Sequence, residues 1–202
     1  MTMRLKQTLV IAVILFLAVA LILCTGCSGL LEADLRLAAC DGDIKKVTNL
    51  LKRGPNVNAT DGLGNSALTF AEGCNRHDDL TESRVQLIEL LIANGAAVNH
   101  QNDDGRTALM YAARIGDTEA VNALLKSGAA VNLADNNGET ALMKAAASSC
   151  NEETVRTLLS ASADLIARDH KGRNALDSFR ASYACPNSRI ADLLEMETQK
   201  GK

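Results

Sequence analysis

The chain has 202 residues; 47% are hydrophobic, only 2% are aromatic with no Trp, and the formal net charge is −3. This length holds one ordinary domain, or a short repeat array behind a targeting segment, and excludes a large multidomain enzyme. An apolar mass made of Ala, Leu, Val and Ile argues for a helical chain over a barrel or sandwich, and an acidic balance with few rings argues against nucleic acid as a partner.

In chain order, the first 27 residues read as an address. Arg4 and Lys6 precede an apolar run from Leu9 to Leu23, followed by Cys24-Thr25-Gly26-Cys27-Ser28-Gly29. A basic start, an apolar stretch and a small-residue exit form the layout of a secretory signal. No charge occurs from Gln7 to Leu31, a length that a tilted membrane anchor could use. Thr25-Gly26-Cys27 resembles the end of a bacterial lipoprotein signal, although Cys24 stands where that family has a branched apolar residue. The resemblance implies lipidation at Cys27. An uncleaved anchor and simple cleavage are the other two outcomes, and all three place residues 28–202 outside the cytoplasm. The expected location is the cell envelope, with the chain facing the periplasm or the exterior.

Beyond Leu31 the sequence repeats. Gly64-Asn65-Ser66-Ala67-Leu68, Gly105-Arg106-Thr107-Ala108-Leu109, Gly138-Glu139-Thr140-Ala141-Leu142 and Gly172-Arg173-Asn174-Ala175-Leu176 are spaced by 41, 33 and 34 residues. Val57-Asn58, Val98-Asn99, Val131-Asn132 and the degenerate Leu165-Ile166 keep the same register. Two markers in one register, with this period, resemble the ankyrin repeat. The implied fold is an all-α solenoid of about five helix-turn-helix repeats, near 31–60, 61–101, 102–134, 135–168 and 169–197.

The third repeat shows the unit. Asp103-Asp104-Gly105 predicts a tight turn, Thr107 caps a helix carrying Leu109, Ala112 and Ala113, and Gly116-Asp117 starts a second helix with Val121, Leu124 and Leu125. Gly128 then ends that helix in the left-handed conformation. In repeat four Ser162 replaces this glycine, at a cost of about 1 kcal/mol if the positive φ is kept. A polar tail is expected from Glu197 to Lys202.

The 41-residue spacing gives repeat two eight extra residues within Gly73 to Arg84. They predict a second helix extended by about two turns and a polar loop, either a partner-contacting finger or a tolerated insertion. Cys40, Cys74, Cys150 and Cys185 all fall just after the first helix of a repeat. In a solenoid only Cys40 with Cys74, and Cys150 with Cys185, join neighbours, so these four are disulfide candidates; small core residues are the alternative. No Cys-x-x-Cys occurs within the domain, and His77 has only Asp78 and Asp79 beside it, so no metal is expected.

Neither catalysis nor a cofactor is expected. His77, His100 and His170 lie far apart in the register, and no phosphate loop, zincin motif or nucleophile elbow occurs. Ankyrin arrays bind proteins through turn tips and the concave face of the first helices. Carried onto this chain, the tips are Leu63 and Asn65, then Asp103, Asp104 and Arg106, then Asn136, Asn137 and Glu139, and lastly His170, Lys171 and Arg173. The inner helices add Met110, Tyr111, Arg114, Ile115, Met143 and Lys144, with Tyr111 as either an anchor for a partner or packing between helices. The expected function is a monomeric, non-enzymatic protein-binding module tethered to the membrane by its amino terminus, with no small-molecule substrate. The alternative is a stoichiometric inhibitor or immunity-type protein acting on an exported toxin or enzyme.

Overall fold

A computed structural model describes residues 29–73, 81–182 and 189–200. A first helix, α1, is described over 29–40. It is followed by α2 (Ile44–Leu51), α3 (Ala67–Gly73), α4 (Thr81–Ala93), α5 (Ala108–Ile115), α6 (Thr118–Lys126), α7 (Ala141–Ser148), α8 (Glu152–Ser160), α9 (Ala175–Ala181) and α10 (Ile190–Lys200). Short helices with polar starts form here because α2 and α5 to α9 are each capped by a side chain at the start. The Thr107 side chain accepts from Met110 N and that of Thr140 from Met143 N, while Asp117 accepts from Ala120 N. Asn174 and Asp177 form a reciprocal capping box on α9.

The helices stack in two rows. α3, α5, α7 and α9 pack in sequence as an inner row, while α2, α4, α6 and α8 form an outer one. Leu109, Ala112, Ala113, Leu142, Ala145 and Ala146 fill the inner row and are almost completely buried, the alanines permitting close helix approach. Val121, Leu124, Val155 and Leu158 join the rows. No isolated helix pair of this size could bury such a stripe, so stability comes from stacking. Among the described residues no strand forms; one antiparallel bridge, Ala134 to Thr140, closes a turn.

Hairpin turns join successive repeats, and here the two sequence markers acquire a physical role. The asparagine of each Val-Asn pair bridges to the next repeat. Asn58 Nδ2 donates to Gly95 O and its Oδ1 accepts from Ala97 N; Asn99 does the same with Gly128 O and Ala130 N, and Asn132 with Ser162 O and Asp164 N. Ile166, in the corresponding place of repeat four, is exposed.

The turn glycines serve the same stacking. Gly105 has φ +76, and a β-carbon there would stand 2.8 Å from Asn136 N. Gly64 and Gly138 are crowded in the same way by Asp103 and His170. The next turn sits that close because its N–H bonds back: Asp103 N to Leu63 O, Asn136 N to Asp104 O, and His170 N to Asn137 O. Gly172, in the last turn, has a similar φ of +75 and nothing within 4 Å.

The described part of the second helix of repeat two is longer than α6 by four residues, about one turn; residues 74–80, on which the rest of the expected extension and the polar loop fall, lie outside the described residues. One expectation changes. The carboxyl end is not a bare polar tail, since α10 continues to Lys200 with Thr198 Oγ1 bonded to Leu194 O.

Two stability measurements check this account. Gly105→Ala meets both strain and a backbone clash and should cost about 3 kcal/mol or more in urea unfolding, whereas Gly172→Ala meets strain alone and should cost about 1 kcal/mol. Ser162 does keep the left-handed φ, at 65°. Ser162→Gly should therefore stabilise the array by about 0.5–1 kcal/mol.

Candidate functional site

The inner helices and turn tips form one face, and its geometry starts from the residue that opens each turn. Oδ1 of Asp61, Asn102, Asp135 and Asp169 accepts two backbone N–H groups apiece, from residues two and four positions ahead. This leaves the second oxygen, or the amide nitrogen, aimed across the face.

Those second atoms link into a chain of polar contacts. Asp61 Oδ2 accepts from Asn65 Nδ2, and Asn102 Nδ2 donates to Asn65 Oδ1 at 2.8 Å and to Tyr111 Oη at 3.2 Å. Asp135 Oδ2 is fully buried and lies 2.7 Å from Lys144 Nζ, an ion pair off the hydrogen-bonding direction. Lys144 also pairs with Glu139. Arg173 Nη2 reaches Glu139 Oε1 at 3.4 Å and Asp169 Oδ2 at 2.6 Å.

The carboxylates respond to these partners. Burial pushes Asp135 up, but the Lys144 ammonium and the N–H groups of Glu139 and Asn137 outweigh it and hold the carboxyl below the usual range. Asp169 follows the same balance, with burial opposed by the Arg173 N–H and guanidinium and by the Lys171 N–H.

The sequence-predicted site residues therefore divide into three groups. Leu63, Asp103, Asp104, Asn136, Asn137, His170 and Lys171 are exposed at the tips, and Arg114 is exposed on α5. Asn65, Arg106, Glu139, Lys144 and Arg173 are partly buried and engaged with each other or with turn residues, while Ile115 is half-buried at the end of α5. Met143 is corrected: at 1% exposure its side chain is buried in the stacked core, because the helix turns it inward from the open face, and Met110, 2% exposed, is buried likewise except where it borders a cleft of that face.

Tyr111 is half-buried between α3 and α5, with its ring 3.8 Å from where a β-carbon on Gly73 would stand. It borders two clefts. One, of about 140 Å³, is lined by Asn65, Thr69, Phe70, Gly73 and Tyr111, and the other, of about 310 Å³, by Arg106, Met110, Tyr111, Arg114 and Lys144. The Arg114 guanidinium lies 5.9 Å from the Tyr111 ring centroid. His100 is engaged within the fold, its Nε2 donating to Gly64 O at 2.7 Å. Among the described residues no three His, Cys, Asp or Glu side chains are placed to hold a metal.

One buried group escaped the sequence reading. Glu72 occupies the register of Ala113 and Ala146, and a carboxylate where the next two repeats have alanine was the available signal. Its carboxyl is buried with no hydrogen-bond partner on either oxygen. Nearby, Arg84 Nη1 pairs with Asp117 Oδ2 at 2.6 Å. Burial raises the Glu72 pKa to about 8, with Arg84 pulling it down and Asp117 pushing it up.

The comparisons with known proteins agree with this geometry. Residues 79–169 match the family described as Ankyrin repeats (3 copies). The fold is an ankyrin-repeat solenoid. A probable E3 ubiquitin-protein ligase, XBOS32, of Oryza sativa subsp. japonica is 36% identical over 98 residues, covering 48% of this chain. The chain spans only 18% of that relative's length. An ankyrin-repeat face of this kind is a protein-interaction module.

Glu72 gives a pH test. The folded state holds its proton up to about pH 8 while the unfolded chain loses it near 4.5, so the contribution is full below 4.5, falls as pH rises, and levels off above 8. Glu72→Gln should remove this dependence. Urea unfolding should show the two proteins nearly equal at pH 5 and the variant ahead by about 3 kcal/mol at pH 8.

Proposed function

We propose that the chain is a non-enzymatic binding module, exported and held at the cell envelope, that grips another protein through its turn tips and inner helices. The observation that carries this reading is the face itself: a rigid row of capped helices from which Leu63, Asp103, Asp104, Asn136, His170 and Lys171 project, flanking the two clefts at Tyr111. A single layer of stacked helices offers surface rather than an enclosed pocket with converging acid and base groups.

The tether is part of the proposal. The apolar run Leu9–Leu23 with Cys27 at its exit supports a lipid or membrane anchor. No helix of the described residues is long and apolar enough to cross a membrane, and that run precedes them. An oxidising compartment is supported by disulfide-bonded Cys40 and Cys150. Cys40 is half-buried at the end of α1 and Cys150 is exposed between α7 and α8, so neither is a core residue. Cys74 and Cys185, the other two disulfide candidates of the sequence, lie outside the described residues.

Crosslinking and co-purification from the native envelope tests the function. The intact chain should capture one protein in comparable amounts, and the chain lacking residues 75–81 should lose it if the insertion contributes to recognition. Failure of both forms to capture any protein would overturn the reading. Retention of the partner by the deletion would confine recognition to the inner-helix face.

A further inference from the structure

The larger cleft has a chemistry of its own. Its lining presents three cations, Arg106, Arg114 and Lys144, and no carboxylate. They are not equally available. Lys144 is committed to Asp135 and Glu139. Arg106 is only loosely compensated by carboxylates, 3.4 Å from Asp104 Oδ2 and 3.7 Å from Asp135 Oδ2; its guanidinium also meets the Tyr111 hydroxyl, and its buried Nε has no acceptor among the described residues. Arg114 is exposed, lies against the Tyr111 ring and has no carboxylate partner among the described residues. Asp135 cannot serve them further, because its Oδ1 holds two turn N–H groups and its Oδ2 faces Lys144.

Uncompensated positive charge is thus concentrated at Arg106 and Arg114, on one side of Tyr111. The Tyr111 hydroxyl oxygen accepts from Asn102, which leaves its proton to donate. Across the same ring, the smaller cleft is lined by Thr69, the half-buried Phe70 and the bare backbone of Gly73. The order α3, α5, α7 along the inner row sets the two clefts side by side.

We infer that this pair of clefts is a docking site for an acidic peptide segment of the protein partner, with one Asp or Glu carboxylate seated between Arg106 and Arg114 and a small apolar neighbour seated against Phe70. The cleft's volume of about 310 Å³ lies at the low end of ligand sites, which run from about 300 to 1,000 Å³. It suits one side chain and its flanks. A guanidinium with unused donors binds a carboxylate in a charge-assisted, paired geometry, and the ring beneath Arg114 orients it. The second cleft, where the Phe70 and Tyr111 rings stand beside Asn65 and Thr69, selects a peptide over a free anion. The inference rests on the interaction-module reading proposed above.

A random 12-residue peptide library displayed on phage, selected against the full chain and against Arg114→Glu, tests it. Arg114 makes no ion pair among the described residues, so the variant should match the parent in circular dichroism and thermal unfolding. The parent should enrich peptides bearing Asp or Glu beside a small apolar residue, and the variant should lose that preference. A synthetic peptide of the enriched sequence should bind the variant at least about tenfold more weakly, and its affinity for the parent should fall with added salt. Enriched peptides with no acidic bias, or equal binding by the two proteins, would overturn the inference while leaving the module reading intact. Failure to select any peptide with either protein would count against both, and capture of a partner from the envelope would then save the module reading alone. Displacement of the acidic peptide by an equal concentration of inorganic phosphate would assign the cleft to free anions and overturn the peptide assignment.

Discussion

Each turn of this array hangs on a single side-chain oxygen. Oδ1 of Asp61, Asn102, Asp135 or Asp169 takes two backbone N–H groups that would otherwise be unpaired in a tight, half-buried loop. Once the loop is held, its glycine presents bare backbone to the following turn, and the asparagine ladder on the other edge fixes the same spacing a second time. The helices between these two seams need only small and aliphatic side chains to fill the gap, which accounts for a core with few rings.

The same residues that shape the turns furnish the polar face. An aspartate has a second oxygen, and in repeats four and five it faces a cation from the neighbouring helix or turn. Where Asn102 replaces aspartate, its amide donates to Asn65 and Tyr111 and recruits no positive partner. Arg106 and Arg114 sit beside this turn, whose opening residue supplies an amide where the other three supply a carboxylate.

Much of this was legible in the chain. Motifs that recur with the period marked the turns and caps, and Ser162 marked a strained helix end. Recurrence also explains what was hard to read. Asn58, Asn99 and Asn132 looked like markers of register, but their work is to bond the next repeat, 31 to 39 residues ahead, and only stacking brings the two together. The links from Asp135 to Lys144 and from Glu139 to Arg173 likewise join long side chains whose reach depends on rotamer and helix direction. Met110 and Met143 share the inner helices with Tyr111 and Lys144, and a one-residue step on a short helix separates core from surface.

In a one-dimensional stack the junctions act in series, so the weakest one sets where the whole comes apart. Between α3 and α5 the alanine found at the equivalent place in the next two repeats is a glutamic acid with neither oxygen satisfied. That junction divides the solenoid, with two repeats on one side and three on the other. The smaller cleft lies across it and the larger one beside it, with Tyr111 common to both. A ligand filling the pair would act as a splint, so occupancy and mechanical integrity become one property of the molecule.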